Sequence, residues 1–533
     1  MNPHKVQRLL SVGVTLALFT TACGGGGESE SSGAASGPPQ PGGEITIAVD
    51  AESDGFNPST SQWSPATTQM ALSMLEPLMT VDAEENVGPF LAESMTPNDD
   101  FTEWTLNLRP DVTFSSGNPV DAEAVKFNLD AVLASPLTGP VMRGLAEPEI
   151  VDDLTLKLST DRSWATLPLF FAGQPGYIGD PEWLGDPDSD PQAPVGSGPF
   201  VLKERTLDAQ TVVVRNENYW RDPYPYLDGI TFRIVPDTVQ RVQALETGEV
   251  DLTASQDDGD VVTIQENPDL GSLASFASDE SMIMLNTSKP PLDDIRVREA
   301  LAVGMDREAW ATITDESGLI RLADSPWPPE SRWHPDGLEF PDHDPERARE
   351  LLGEYEAETG ETVSLTLGTT STPEAKQTQE IIAEQWRDLG IDVETTTTEQ
   401  ATLITDVIAG NFDALVWRQF NSPDPDGESH WWFSQNTEGP VAVNFARNRD
   451  PVIDEALYAG RATDDLETRK AAYRTVAERL NADLPYLWLR HTTWIVGYQE
   501  SLQDVGDWDL PDGDPGIPVA NNQVRLFQIW LAS

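Results

Sequence analysis

The chain has 533 residues, 38% of them hydrophobic, with 90 acidic against 33 basic side chains and a net charge of −57. That length exceeds what one core fills, so two or three domains are expected. So negative a surface repels nucleic acid and anionic lipid headgroups alike, and a single cysteine, Cys23, excludes both a disulfide framework and a cysteine-metal site.

Lys5 and Arg8 flank the start of an apolar run from Leu9 to Phe19. A basic start, about 11 apolar or small residues and small residues at the exit make a secretory signal. The run is too short to span a bilayer, which takes about 20 residues. Cys23 stands at the exit and is followed by Gly24-Gly25-Gly26-Gly27. Thr20-Thr21-Ala22-Cys23 resembles the lipobox of bacterial lipoproteins, in which the cysteine is lipidated and becomes the mature N-terminus. It departs from that pattern by carrying Thr20 where Leu is usual. The resemblance implies a signal peptide over 1–22, lipidation at Cys23 and an anchor on the outer face of the cell membrane, in a periplasmic or extracellular setting. A secreted protein with one incidental cysteine is the alternative, and a free thiol in an oxidising compartment speaks against it. Loss of residues 1–22 removes two bases and no acid, which leaves the mature chain near −59. The acids are scattered over the whole chain, which favours solubility in a saline or acidic exterior over cation capture. In moderate salt these charges are screened beyond roughly 8–10 Å.

Gly24 to Gly43 is Gly/Ser/Pro low complexity, read with Cys23 as a flexible linker over 23–42. Such a tether has a root-mean-square span of roughly 25 Å. Glu44 to Val49 then alternates like a first strand, as do Trp104–Leu108 and Leu154–Leu158. Asp121 caps a helix with acids in its first turn. Val239–Leu245, Val297–Val303 and Pro345–Leu352 read as helices. Val363–Leu367, Pro373–Leu389 and Ile391–Val393 read as a strand, a helix and a strand, a βαβ unit. Ligands gather at the carboxyl ends of strands in such units. Thr369, Thr370 and Ser371 therefore form a candidate cleft loop, a plain lead-in to the helix being the alternative.

Other chemistries find little support. His4, His334, His343, His430 and His491 show no metal-site spacing. Ser197 lies in Gly196-Ser197-Gly198, which lacks the Gly-x-Ser-x-Gly of a hydrolase elbow. No phosphate-binding loop occurs. No cofactor is expected.

Four segments, in order, carry a family resemblance: Pro194-Val195-Gly196-Ser197-Gly198-Pro199-Phe200; Arg215-Asn216-Glu217-Asn218-Tyr219-Trp220; Arg241 to Leu252 with Gly248 ending a helix; and Leu285 to Leu301, running on to Met305-Asp306-Arg307. The glycines are read as setting turns, and Asp293, Asp294 and Arg296 as capping and orienting a helix. Together with Asp344–Ala348, Pro423–Asp426 and Leu484-Pro485-Tyr486, the set resembles solute-binding protein family 5 of ABC importers, the peptide and nickel receptor group, over nearly all of 43–533.

The resemblance implies a two-lobed α/β fold of the periplasmic-binding-protein type, with ligand bound between lobes that close about a hinge. The first lobe would combine 43–88, 196–280 and 496–533. A subdomain, 89–195, would insert into it, and 281–495 would form the second lobe. The work would be binding and presentation to a permease served by a separate ATPase, with no bond made or broken. Val416 to Asp426 resembles the family's cleft loop and holds Trp417 and Arg418. In many peptide receptors an aspartate there holds the peptide's amino terminus, and Asn421 takes that place here. The arginine that takes a dipeptide's carboxylate is matched by Thr369. Two neutral positions argue against a strict dipeptide receptor. Longer or modified peptides remain, or a neutral ligand such as an oligosaccharide, with nickel or haem as further family options. Trp63, in the loop after the first strand, and Trp417 are candidate contacts among 16 tryptophans. Trp431-Trp432-Phe433 is read as core. A secreted hydrolase and a ligand sensor are the rivals.

Overall fold

Ile45 and Ile47 alternate with Glu44 and Thr46, and both isoleucines are buried. Their strand, β1 (Glu44–Val49), is the nucleus of the main sheet. The computed structural model describes residues 38–532 apart from Pro187, Glu316, Ser317, Asn421, Pro440, Asn521 and Asn522. The signal segment, Cys23, most of the linker and Asn421 thus lie outside the described residues. Residues 39–533 make one compact unit.

In chain order the sheet takes in β2 (Phe200–Thr206), β3 (Gln210–Arg215), β4 (Gly229–Ile234), β5 (Leu252–Ser255), β6 (Leu270–Leu285), β7 (Arg321–Leu322), β8 (Ser364–Thr369), β9 (Asp392–Thr397), β10 (Ala414–Phe420) and β11 (Tyr486–Gln499). The spatial order is β2-β3-β4-β1-β5-β11-β6-β10-β8-β9, with β7 also on β11. Two long antiparallel strands, β6 and β11, tie the halves together. Leu270–Ser275 faces Trp494–Gln499 beside β5, whereas Asp279–Met284 faces Tyr486–Thr492 beside β10. Between Ser275 and Asp279 the register shifts. A bulge of this kind bends and twists a strand pair.

The βαβ unit forms as read, with β8 and β9 parallel and Ser364 opposite Asp392. Its helix, Pro373–Asp388, is capped by Thr372. Two expected ends move. The last strand runs on to Thr397, because Thr395–Thr397 form a polar edge with no apolar alternation to mark it. The helix expected over Pro345–Leu352 continues to Thr359, since its apolar face runs on through Tyr355 and Gly360, at φ +76°, stops it.

Residues between the first helix, Pro65–Met74, and β2 build a second, four-stranded antiparallel sheet in the order Ala92–Pro97, Glu103–Leu108, Thr155–Ser159, Glu149–Asp152. Asp121 accepts from Ala124 N at 2.9 Å and caps the helix Ala122–Ala134 beside it.

The motif residues meet at one buried carboxylate. Glu76 accepts from Ser197 Oγ at 2.8 Å, Tyr219 Oη at 2.7 Å and Trp220 Nε1 at 2.8 Å. Gly196 and Gly198 correct an expectation: neither sits in the left-handed region. A Cβ there would come within 2.2 and 2.5 Å of the Met74 backbone, so close approach, not turn geometry, demands glycine. Asp294 does cap the helix Ile295–Val303, accepting from Arg296 N at 2.9 Å and pairing with the Arg296 guanidinium at 2.6 Å.

Candidate ligand cleft

A cavity of about 320 Å³ opens where the β1 half of the molecule, the inserted subdomain and the loop after β10 converge. Its walls are aromatic and apolar. Trp63 stands edge-on to Tyr177, with centroids 5.0 Å apart. Ser64 caps the following helix, accepting from Thr67 N, and this fixes the turn that carries Trp63. The Gln174 side chain braces the same loop, donating to Pro58 O at 2.8 Å and Ser61 O at 2.9 Å. The Trp63 indole N–H has no acceptor among the described residues.

The C-terminal tail supplies the facing wall, including Trp508, Val524 and Arg525. Gln69 holds that tail, donating to Val524 O at 3.0 Å and accepting from Val524 N at 2.9 Å. The Arg525 guanidinium lies 5.3 Å from the Phe90 ring centre and 5.2 Å from that of Trp508, and donates to Thr80 Oγ1 at 3.0 Å. Burial pushes the Tyr177 hydroxyl up in pKa, and the neighbouring Arg525 opposes that rise.

Of the residues singled out from sequence, Trp63 lines this cavity. Thr369 is fully buried at the end of β8, while Thr370 is half-buried and Ser371 exposed; none of the three lines it. Trp417 is half-buried and stands edge-on to Phe445 at 5.7 Å, against the core of the second lobe. Arg418 reaches Asp279 Oδ2 at 3.7 Å and lies over Trp494 at 5.5 Å, beside β6 and β11. Asn421 lies outside the described residues, but its neighbours Ser422 and Pro423 line the wall. Arg525 is the residue that sequence reasoning missed. It stands alone in a short extended tail, and only the fold brings it to Trp508 and Thr80.

The acids of the cleft loop are engaged by the protein itself. Asp424 pairs with Arg469 at 2.6 Å. Asp426, fully buried, pairs with Arg461 at 2.9 Å and accepts from Trp164 Nε1 at 3.2 Å and from Thr166 Oγ1. Trp164 and Thr166 lie more than 250 positions earlier in the chain, so Asp426 ties two distant segments together. Glu428 is buried, and desolvation lifts its pKa well above the usual range, with Asp424 adding to the rise. Trp432 and Phe433 are core and Trp431 packs against it.

Ser197 is buried and bonded to Glu76. His430 and His491 are buried, and desolvation lowers them to about 4 and about 3. Among the described residues no group of three His, Cys, Asp or Glu side chains could hold a metal ion.

The middle-region model of the bacterial extracellular solute-binding proteins, family 5, matches residues 86–440. The chain belongs to this family. As a family 5 protein it is a periplasmic or extracellular binding protein of transport and not an enzyme, which removes the hydrolase alternative. The nickel-binding periplasmic protein of Escherichia coli is 28% identical over 497 residues, covering 87% of this chain and 91% of that protein. The oligopeptide-binding protein AppA of Bacillus subtilis is 25% identical over 526 residues, covering 93% and 95%. Among solved structures, the periplasmic binding protein DppA of Helicobacter pylori in complex with a peptide superposes with a TM-score of 0.81 at 21% identity, over 93% of this chain and 99% of that one. That likeness shows the two-lobed α/β fold.

Proposed function

We propose that this family 5 protein is the lipid-anchored receptor of an ABC importer, taking a peptide-like solute between its lobes and delivering it to the permease. Cys23 is the proposed anchor and residues 23–42 the tether. The lobes are assigned as 43–88, 196–280 and 496–533 for the first, 281–495 for the second, and 89–195 for the insertion. The register break near Ser275–Asp279 supports the boundary at 280/281.

One observation carries the reading. A cavity of small-molecule size is walled by Trp63 and Tyr177 on one side and by Ser422 and Pro423 of the other lobe. A ligand there touches both lobes, so its binding energy favours the closed arrangement. Relatives named for nickel, peptides and haem set the range of solutes. Peptide-like solutes are favoured because the walls are largely aromatic and apolar.

Mass spectrometry of what co-purifies with the full chain tests this. A small peptide-like molecule that raises the melting temperature on re-addition is expected. Co-purification of a metal chelate alone refutes it. For the anchor, Cys23→Ser is expected to move the protein from the membrane fraction to the soluble one; retention there refutes lipidation at Cys23.

A further inference from the structure

The cavity inverts the charge of the molecule around it. In a chain with 90 acids, no Asp, Glu or Lys among the described residues lines this cavity, and the one charged wall residue among them is Arg525. Elsewhere Arg461 pairs with Asp426, Arg469 with Asp424, and Arg490 with Asp258 and Glu374. Arg525 has no carboxylate in ion-pair reach among the described residues. Its partners are the Thr80 and Tyr177 hydroxyls and two ring faces.

We infer that the solute carries a carboxylate and that Arg525 binds it; this rests on the reading of the cavity as the solute site. Three features converge. A guanidinium has five donors in a planar fork that matches a carboxylate, and Thr80 takes one of them. Contact with Phe90 and Trp508 fixes the guanidinium before any ligand arrives, which lowers the entropic cost of pairing. The apolar walls weaken solvent screening, so a charge-assisted pair gains more there than on the wet surface. The rest of the solute faces Trp63, Tyr177, Leu72 and Leu169, an apolar or aromatic body. The volume, near the low end for small-molecule sites, fits a short peptide or a comparable organic acid.

With Thr369 and Asn421 both neutral, a neutral ligand stays open; Arg525 places the anion recognition on the C-terminal tail instead.

The test uses the purified full chain and four pools of probes: di- and tripeptides as free acids, the same peptides as C-terminal amides, aromatic and aliphatic monocarboxylic acids, and neutral oligosaccharides. Native mass spectrometry reads retention and titration calorimetry reads affinity. The wild type is expected to retain members of a carboxylate pool and to discriminate against the matching amide by about 10–150-fold, the range for a hydrogen bond to a charged group. Arg525→Gln is expected to abolish that discrimination, and Arg525→Lys to keep part of it because the charge remains. The melting temperature without ligand shows whether Arg525→Gln still folds. If it does not, Thr80→Val, which removes one partner of the guanidinium, is expected to narrow the acid-to-amide ratio. Equal retention of acids and amides, or retention of oligosaccharides alone, overturns the role of Arg525 and leaves solute capture standing. Retention from no pool, with nothing co-purified, overturns both.

Discussion

Arg490 of β11 donates to Glu374 at 2.6 Å, in the first turn of the βαβ helix of the second lobe. The same guanidinium pairs with Asp258 at the start of the helix Asp258–Glu266. One buried cation thus ties together two helices more than 100 positions apart in sequence. Its partners are unequal: the Asp258 side chain is 14% exposed and that of Glu374 57%.

That inequality gives the first prediction. Arg490→Met leaves Asp258 shielded and without its cation, so urea unfolding should show a loss of about 2–4 kcal/mol. Glu374→Gln removes an exposed partner and should cost less than about 1 kcal/mol. Equal losses would show that the Asp258 contact adds nothing beyond the Glu374 contact.

Glu428 predicts a pH dependence. Its pKa in the fold lies well above the usual range, chiefly through desolvation. Protonation therefore favours the folded state. The stability it contributes is fully present below the ordinary glutamate value, near 4.5, and is lost as pH rises through the raised one. Glu428→Gln mimics the neutral form. The stability of the wild type relative to Glu428→Gln should fall as pH rises from acid to neutral in paired denaturation curves. A difference that stays flat with pH would contradict the raised pKa.

Glu76 joins Ser197, Tyr219 and Trp220, segments more than 100 residues from it in sequence. Replacement by Ala orphans three buried donors, and thermal and urea unfolding should show a loss of about 3–5 kcal/mol. Ser197→Ala removes one donor and should cost about 1 kcal/mol. Solute affinity of the folded fraction should stay unchanged in both, because none of these residues lines the cavity.

Trp63 and Trp417 should separate binding from packing. Trp63→Ala should weaken binding of the co-purified solute by about tenfold or more in calorimetry. Trp417→Ala should lower stability by about 1–3 kcal/mol through lost packing against Phe445 and leave affinity near wild type. The reverse pattern would place the ligand against the second lobe.

Local pattern made much of this legible. The alternation in β1, the Asp121 cap and the βαβ unit each rest on residues close in sequence. The ordered motifs carried the family, but their physical reason did not show. Gly196 and Gly198 read as turn residues, whereas Met74, more than 100 positions earlier, is what demands them. Asp426 reads as part of a ligand loop, whereas it faces Arg461 and the inserted subdomain. Arg525 has no local signature at all. Nothing in Val524-Arg525-Leu526 shows that Trp508 and Phe90 will frame it. What stayed hidden is what long-range contact makes.

Gln69 grips Val524 across 455 positions of chain. A chain emerging N-terminus first carries Trp63 early and acquires its opposite wall almost last. Until then the aromatic side of the cavity faces solvent and the first lobe lacks a wall. Such distant pairing makes for slow folding, with apolar surface exposed in the interval. On the proposed reading the cavity stays unfinished until Val524 and Arg525 have been made, and loss of residues 524–533 would leave a body with most of its core and an incomplete wall.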